Sequence, residues 1–194
     1  MSEEEFKPRP AFSIDWPRQY DCGPSDEHLH AIGQFIANYS MVEWRISGLF
    51  SHFLGIGHDA SRQLIVETNI SMAGMFKLVK SKVADASTID SQASSDLLSV
   101  LAELDKITSL RNKIVHWQWG MNEGETATQS NLIKPRNGNQ STQISLTELR
   151  DTCLTLMKIF RAIEMNMLIL SGQYPRELLI ATHRDTSPEK LFRV

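Results

Sequence analysis

Between Leu29 and Phe53 apolar residues recur at alternating steps of three and four, through Leu29, Ile32, Ile36, Tyr39, Ile46, Phe50 and Phe53. A stripe of that length and period is one face of a long α-helix, and it has to be buried against other helices. Position 43 belongs to the same line and is occupied by Glu43, the one charge within it.

Three further segments supply the partners. A second helical region runs from Asp59 to about Ala84, either whole or broken near Thr68-Asn69, with Met72, Phe76, Val79 and Val83 as its later apolar line. A third follows Ser87-Thr88-Ile89-Asp90 and ends between Trp117 and Gly120, with Val100, Leu104, Ile107 and Ile114 on one stripe. The fourth opens on Ser145-Leu146-Thr147-Glu148, a capping box in which hydroxyl and carboxylate satisfy each other's backbone donors. It then buries Leu149, Cys153, Leu156, Phe160, Ile163, Met167 and Leu170 before Ser171-Gly172 stops it. Between the third and fourth, at about 118–144, the composition turns to Gly, Asn, Thr, Ser and Gln. Asn137-Gly138 signals a hairpin, with strands expected at Ser130 to Lys134 and Gln140 to Ile144.

The expected fold class is therefore mainly α, a bundle of four long helices with a small β-hairpin insertion between the third and fourth. Residues 26–172 form the helical domain. Residues 1–25 carry Pro8, Pro10, Pro17 and Pro24 among Phe6, Phe12, Trp16 and Tyr20, a composition that blocks a helix and predicts an extended N-terminal arm. Ser25 closes that arm as an N-cap, with Asp26 and Glu27 in the first helical turn. Residues 173–194 form a C-terminal tail with Arg176, Arg184, Lys190 and Arg193.

At 194 residues with a net charge of -3, the chain suits one domain and has no global basic field, so a nucleic-acid partner would be held by a local patch. Cys22 and Cys153 make neither a disulfide framework nor a zinc pattern. Cys153 lies on a core stripe and reads as a small hydrophobe. No metal or cofactor motif is visible, and none is expected. The opening Met1-Ser2-Glu3-Glu4-Glu5 lacks the regions of a signal peptide, no run has membrane-spanning length, and a cytoplasmic location is expected. Lys77, Lys80 and Lys82 decorate the second region as a solvated face or, less simply, as an RNA-facing patch.

The chemistry concentrates at Leu110-Arg111-Asn112-Lys113-Ile114-Val115-His116-Trp117, the end of the third helix. Arg111 stands on the apolar stripe, where a guanidinium is costly unless it is paired or faces a cleft. Glu43 and Arg111 are thus opposite charges on two buried lines, and they are expected to meet across the first and third helices. Asn112 and His116 share a face one turn apart, while Arg111 and His116 are separated by about 140° around the axis.

Arg111-Asn112-Lys113-Ile114-Val115-His116 resembles the Arg-polar-x-x-x-His signature of the HEPN superfamily (higher eukaryotes and prokaryotes nucleotide-binding), small helical bundles of which many are metal-independent ribonucleases. The likeness extends as pattern over roughly residues 26 to 172. It implies that His116 is the general acid or base, that Arg111 binds phosphate and that Asn112 orients them; Glu43 is the supporting residue through its expected pairing with Arg111. It also implies an RNA substrate, a homodimer that places two motifs in one cleft, and a toxin or defence role with an inhibitor protein as partner. Lys113, Trp117, Lys134 and Arg136 are candidate RNA contacts, and Trp119 either stacks on a base or packs on the core. Two other readings share these residues: a non-catalytic module that binds RNA, nucleotide or protein in the same cleft, and a structural bundle. In the structural bundle Arg111 is sealed against Glu43, and His116 caps carbonyls.

Overall fold

The structure is a computed structural model, and it describes residues 23–85, 91–123, 125–132 and 138–173. Helix α1 (Asp26–Leu54) starts where Ser25 Oγ accepts from the His28 amide at 3.3 Å. It stops at Gly55, whose φ of 66° is the left-handed region that a side chain resists. The second region is two helices, α2 (His58–Thr68) and α3 (Met72–Ala84). The break falls at Asn69, which takes φ 52° and turns the chain, and Ser71 then caps α3 by accepting from the Gly74 amide at 3.1 Å. Helix α4 (Ser91–His116) carries the Arg-His segment on its last turns.

Strands β1 (Gln118–Glu123), β2 (Thr126–Ser130) and β3 (Ser141–Ser145) form an antiparallel sheet in the order β1-β2-β3. Its register pairs Trp119 with Gln129 and Gln129 with Thr142, and β1 bulges between Trp119 and Asn122. This corrects the expected hairpin: its first strand lies at Thr126–Ser130, earlier than Ser130 to Lys134, and a third strand precedes it. The run Thr126-Ala127-Thr128-Gln129-Ser130 has no apolar alternation to announce a strand. Its pairing is fixed instead by β1, which follows α4 after one residue, and by β3, which runs straight into α5 (Leu146–Leu170). The Ser145–Glu148 capping box is present, with Ser145 Oγ accepting from the Glu148 amide at 3.1 Å and Glu148 Oε2 accepting from the Ser145 amide at 2.8 Å. Asn131 organises the β2–β3 connection by bonding backbone groups of Gln140 and Gly138.

The core is built on α1 against α5 and α3, with α4 closing over α3 and α5. Phe35, Ile46, Leu49, Leu97, Leu101 and Leu156 are sealed within it. The buried face of α1 is wider than the expected line: Tyr39, Ile46 and Phe50 of that line are buried and Ile32 and Phe53 pack on the core, Ala31, Phe35, Val42 and Leu49 beside them face inward as well, and Leu29 and Ile36 are exposed. Helix α1 is apolar on two neighbouring lines, and its large interface with α5 includes Gly48, where a Cβ would meet Met167 Cε at 2.8 Å. Cys153 is buried, its thiol donates to the Ala31 carbonyl at 3.6 Å, and burial pushes its pKa up to about 11. That places it firmly among the core hydrophobes at neutral pH. Most of the expected arm and tail, residues 1–22 and 174–194, lies outside the described residues. Among the described residues no helix is long and apolar enough to cross a membrane.

Candidate functional site

The last turns of α4 flank a cleft of about 370 Å³ closed on its other sides by α1 and the start of α3. Tyr39 and Glu43 line it from α1, Ser71 and Phe76 from α3, and Arg111 and Asn112 from α4. Three of the sequence-predicted residues, Glu43, Arg111 and Asn112, are therefore brought to one place.

Arg111 is half-buried, and its guanidinium carbon lies 5.6 Å from the centroid of the Tyr39 ring. A cation over an aromatic face is held electrostatically by the ring quadrupole. The ring is itself fixed: Thr108 Oγ1 donates to the Leu104 carbonyl at 2.9 Å, so the Tyr39 hydroxyl donates to Thr108 Oγ1 at 2.9 Å. Arg111 Nη1 donates to Asn112 Oδ1 at 3.3 Å, which ties the two motif residues together along the cleft edge.

The expected pairing with Glu43 takes a looser form. Among the described residues no ion pair joins Glu43 to Arg111, although the two attract each other across the cleft. Burial holds the Glu43 carboxyl above the ordinary carboxylate range, and the Arg111 charge only partly offsets that rise. The close ion pair between α1 and another helix lies elsewhere, between Arg45 and Glu164 of α5, with Arg161 completing it at 2.8 Å. Arg45 also lies over the rings of Trp44 and Phe160, at 4.6 and 4.7 Å from their centroids. With that pair holding α1 to α5, the Arg111 guanidinium is left to face the cleft.

His116 is exposed on the final turn of α4 and does not line the cleft. No hydrogen bond to its ring occurs among the described residues. The role of capping the helix end falls to Trp119, whose Nε1 donates to the Ile114 carbonyl at 3.1 Å while its ring packs against the core. Around the helix axis His116 lies roughly 40° from Asn112 and roughly 60° from Lys113, one turn further on. It thus stands on a crest, with the Arg111 cleft on the Asn112 side.

Lys113 faces the other way, into a second groove of about 370 Å³ between α4, the sheet and the start of α5. Its Nζ also lies 5.2 Å from the centroid of the half-buried Trp117 ring. Lys134 and Arg136, the remaining candidate RNA contacts, lie outside the described residues. Lys80, from the expected lysine face, is paired with Asp105 at 2.6 Å.

Sequence reasoning placed Tyr39 only as a stripe residue, although its position four residues before Glu43 on one line was a usable signal for the cleft. Ser71 gave none beyond its capping role. Among the described residues no group of three or more histidines, cysteines and carboxylates is placed to hold a metal ion. The arrangement offers a forked cation on an aromatic base, an adjacent carboxamide, a carboxyl that is easily protonated, and an exposed imidazole one turn away. Comparison with protein-family models, with curated proteins and with solved structures returns no match.

Proposed function

We propose that the chain is a HEPN-type endoribonuclease that cleaves RNA without a metal ion, by attack of the 2'-hydroxyl on the adjacent phosphorus. The attacking oxygen loses its proton, the 5'-oxygen leaves and gains one, and the products are a 2',3'-cyclic phosphate and a free 5'-hydroxyl. The observation that carries this reading is Arg111: it faces an open cleft, is held over Tyr39 and is not neutralised by Glu43 at contact distance. A guanidinium so placed presents parallel donors to phosphate oxygens, and its stabilisation grows as charge develops on the phosphorane.

His116 has the right chemistry for either proton transfer, because an imidazole accepts a proton at one ring nitrogen and donates one from the other. One histidine serves one of the two transfers at a time, so a second copy facing the first would supply the other. Helix α1 supports self-association, since it exposes Leu29, Ile36, Met41 and Trp44 on its outer side, with Trp44 56% exposed. Val115, beside His116, is exposed as well. Apolar surface gathered on one helix is characteristic of an interface.

A second reading is favoured by the position of His116 outside the cleft lining: a module that binds an RNA phosphate through Arg111 and does not cut. The two separate on one assay. Purified protein and His116→Ala are incubated with a mixed RNA pool in chelator, and fragment ends are analysed for cyclic phosphate. Cleavage by the wild type and none by the folded variant supports the nuclease. If neither cuts while Arg111→Ala weakens RNA retention, the binding module replaces it.

A further inference from the structure

We propose that the second groove, on the far side of α4 from the Arg111 cleft, is a recognition pocket for a nucleobase carrying an exocyclic amine, held by the carboxamide of Gln129 and selected by the carboxylate of Asp151. The proposal rests on RNA being the ligand, and it assigns the part of the ligand that is not phosphate. Gln129 is 0% exposed and lines the groove, yet neither its amide nitrogen nor its amide oxygen has a hydrogen-bond partner among the described residues. Buried polar groups in folded proteins are almost always satisfied, and a carboxamide offers one acceptor and two donors that would all go unused. Along β2 the inward positions are Ala127 and Gln129, so the amide occupies a place where packing alone calls for an apolar residue.

The surroundings suit a planar base. Leu110 and Ile144 give apolar surface, while Lys113, Glu148 and Asp151 line the same groove with opposite charges. A donor and an acceptor side by side on a carboxamide match the paired donor and acceptor on a base edge. Uracil offers such a pair as well, so the choice falls to Asp151, since Glu148 is engaged in the α5 capping box: its carboxylate takes the second N–H of an exocyclic amine, which adenine, cytosine and guanine possess and uracil lacks. Gln129 belongs to the central strand of the sheet, so a peptide adding to the β3 edge would not reach it. Lys113 and Asn112 lie on either side of His116, so a strand with its phosphate at Arg111 and a base in this groove would cross the crest at the histidine.

Binding of the four ribonucleoside 3'-monophosphates is measured by calorimetry for wild type, Gln129→Met and Asp151→Asn, with melting temperature read alongside. The expected result is that the uridine nucleotide binds most weakly in the wild type. Gln129→Met should weaken all four nucleotides, the preferred ones by on the order of tenfold, without lowering the melting temperature. Asp151→Asn, at an exposed position, should narrow the preference severalfold in a fully folded protein. Equal binding of all four nucleotides, affinities that survive Gln129→Met, a preference that survives Asp151→Asn, or a fall in melting temperature with binding unchanged each overturns the assignment. So does the absence of nucleotide binding, and RNA cleavage by the same preparation then shows whether the nuclease reading survives without it.

Discussion

At Arg111 the stacking on Tyr39 and the absence of a contact with Glu43 make opposite demands on activity and stability. Arg111→Ala should lower RNA cleavage by about a hundredfold or more, the scale of losing one oriented donor to a transition-state anion. Arg111→Lys should recover only part of it, because an ammonium neither forks nor stacks. Denaturant unfolding should meanwhile show a cost below about 1 kcal/mol for the alanine variant, rather than the ~3–5 kcal/mol of a broken buried pair. Glu43 gives a test with a defined sign. Its carboxyl is held above the ordinary range by burial, so the folded protein retains a proton that the unfolded chain releases, and stability falls as pH rises through that window. Glu43→Gln should therefore raise the melting temperature at neutral pH, with the gain vanishing below the ordinary carboxylate range. In a Cys22→Ser background, thiol labelling of Cys153 should follow global unfolding, since the thiol is buried with its pKa pushed up to about 11.

Helices α1 and α5 were legible from the sequence because each announces itself twice, by an apolar period and by a chemical start, whereas the split of the second region into α2 and α3 was left open. Ser25, Gly55 and Ser145 all act as the caps their residue types imply. The facing of α1 was legible at Tyr39, Ile46 and Phe50 but not at its start, where Leu29–Ile36 and Ala31–Phe35 are both apolar and only the packing of α5 decides between them. Glu43 and Arg111 do reach one cleft, without an ion-pair contact, while Arg45, two residues on from Glu43, makes the interhelical pair. The sheet was hardest to place, since a run of Thr, Gln and Ser carries no burial pattern of its own. For the same reason nothing marked Gln129 as a buried residue. At this scale the caps are testable. Ser145→Ala removes the acceptor for the Glu148 amide and should cost about 1 kcal/mol in urea unfolding. Asn69→Ala should cost a similar amount, because alanine lacks asparagine's tolerance for the left-handed turn between α2 and α3.

For the whole molecule, the exposed apolar residues of α1 set the expected state of association. Ile36→Lys, at one of those exposed positions, should shift the protein to a monomer in sedimentation analysis while leaving its helical content unchanged. If RNA cleavage falls with it, the paired arrangement of two histidines is supported. A monomer that cleaves at full rate would show that one chain is sufficient. The join between α4 and β1 adds a constraint of a different kind. Only Trp117 separates His116 from the first strand, and Trp119 is bound back to the Ile114 carbonyl. Inserting one residue there would turn every side chain of β1 to the opposite face, so Trp119 would leave the helix end and the sheet would lose its footing. The one-residue join therefore ties the position of His116 to the facing of the whole first strand, so a change of length there acts on the candidate site and on the sheet together.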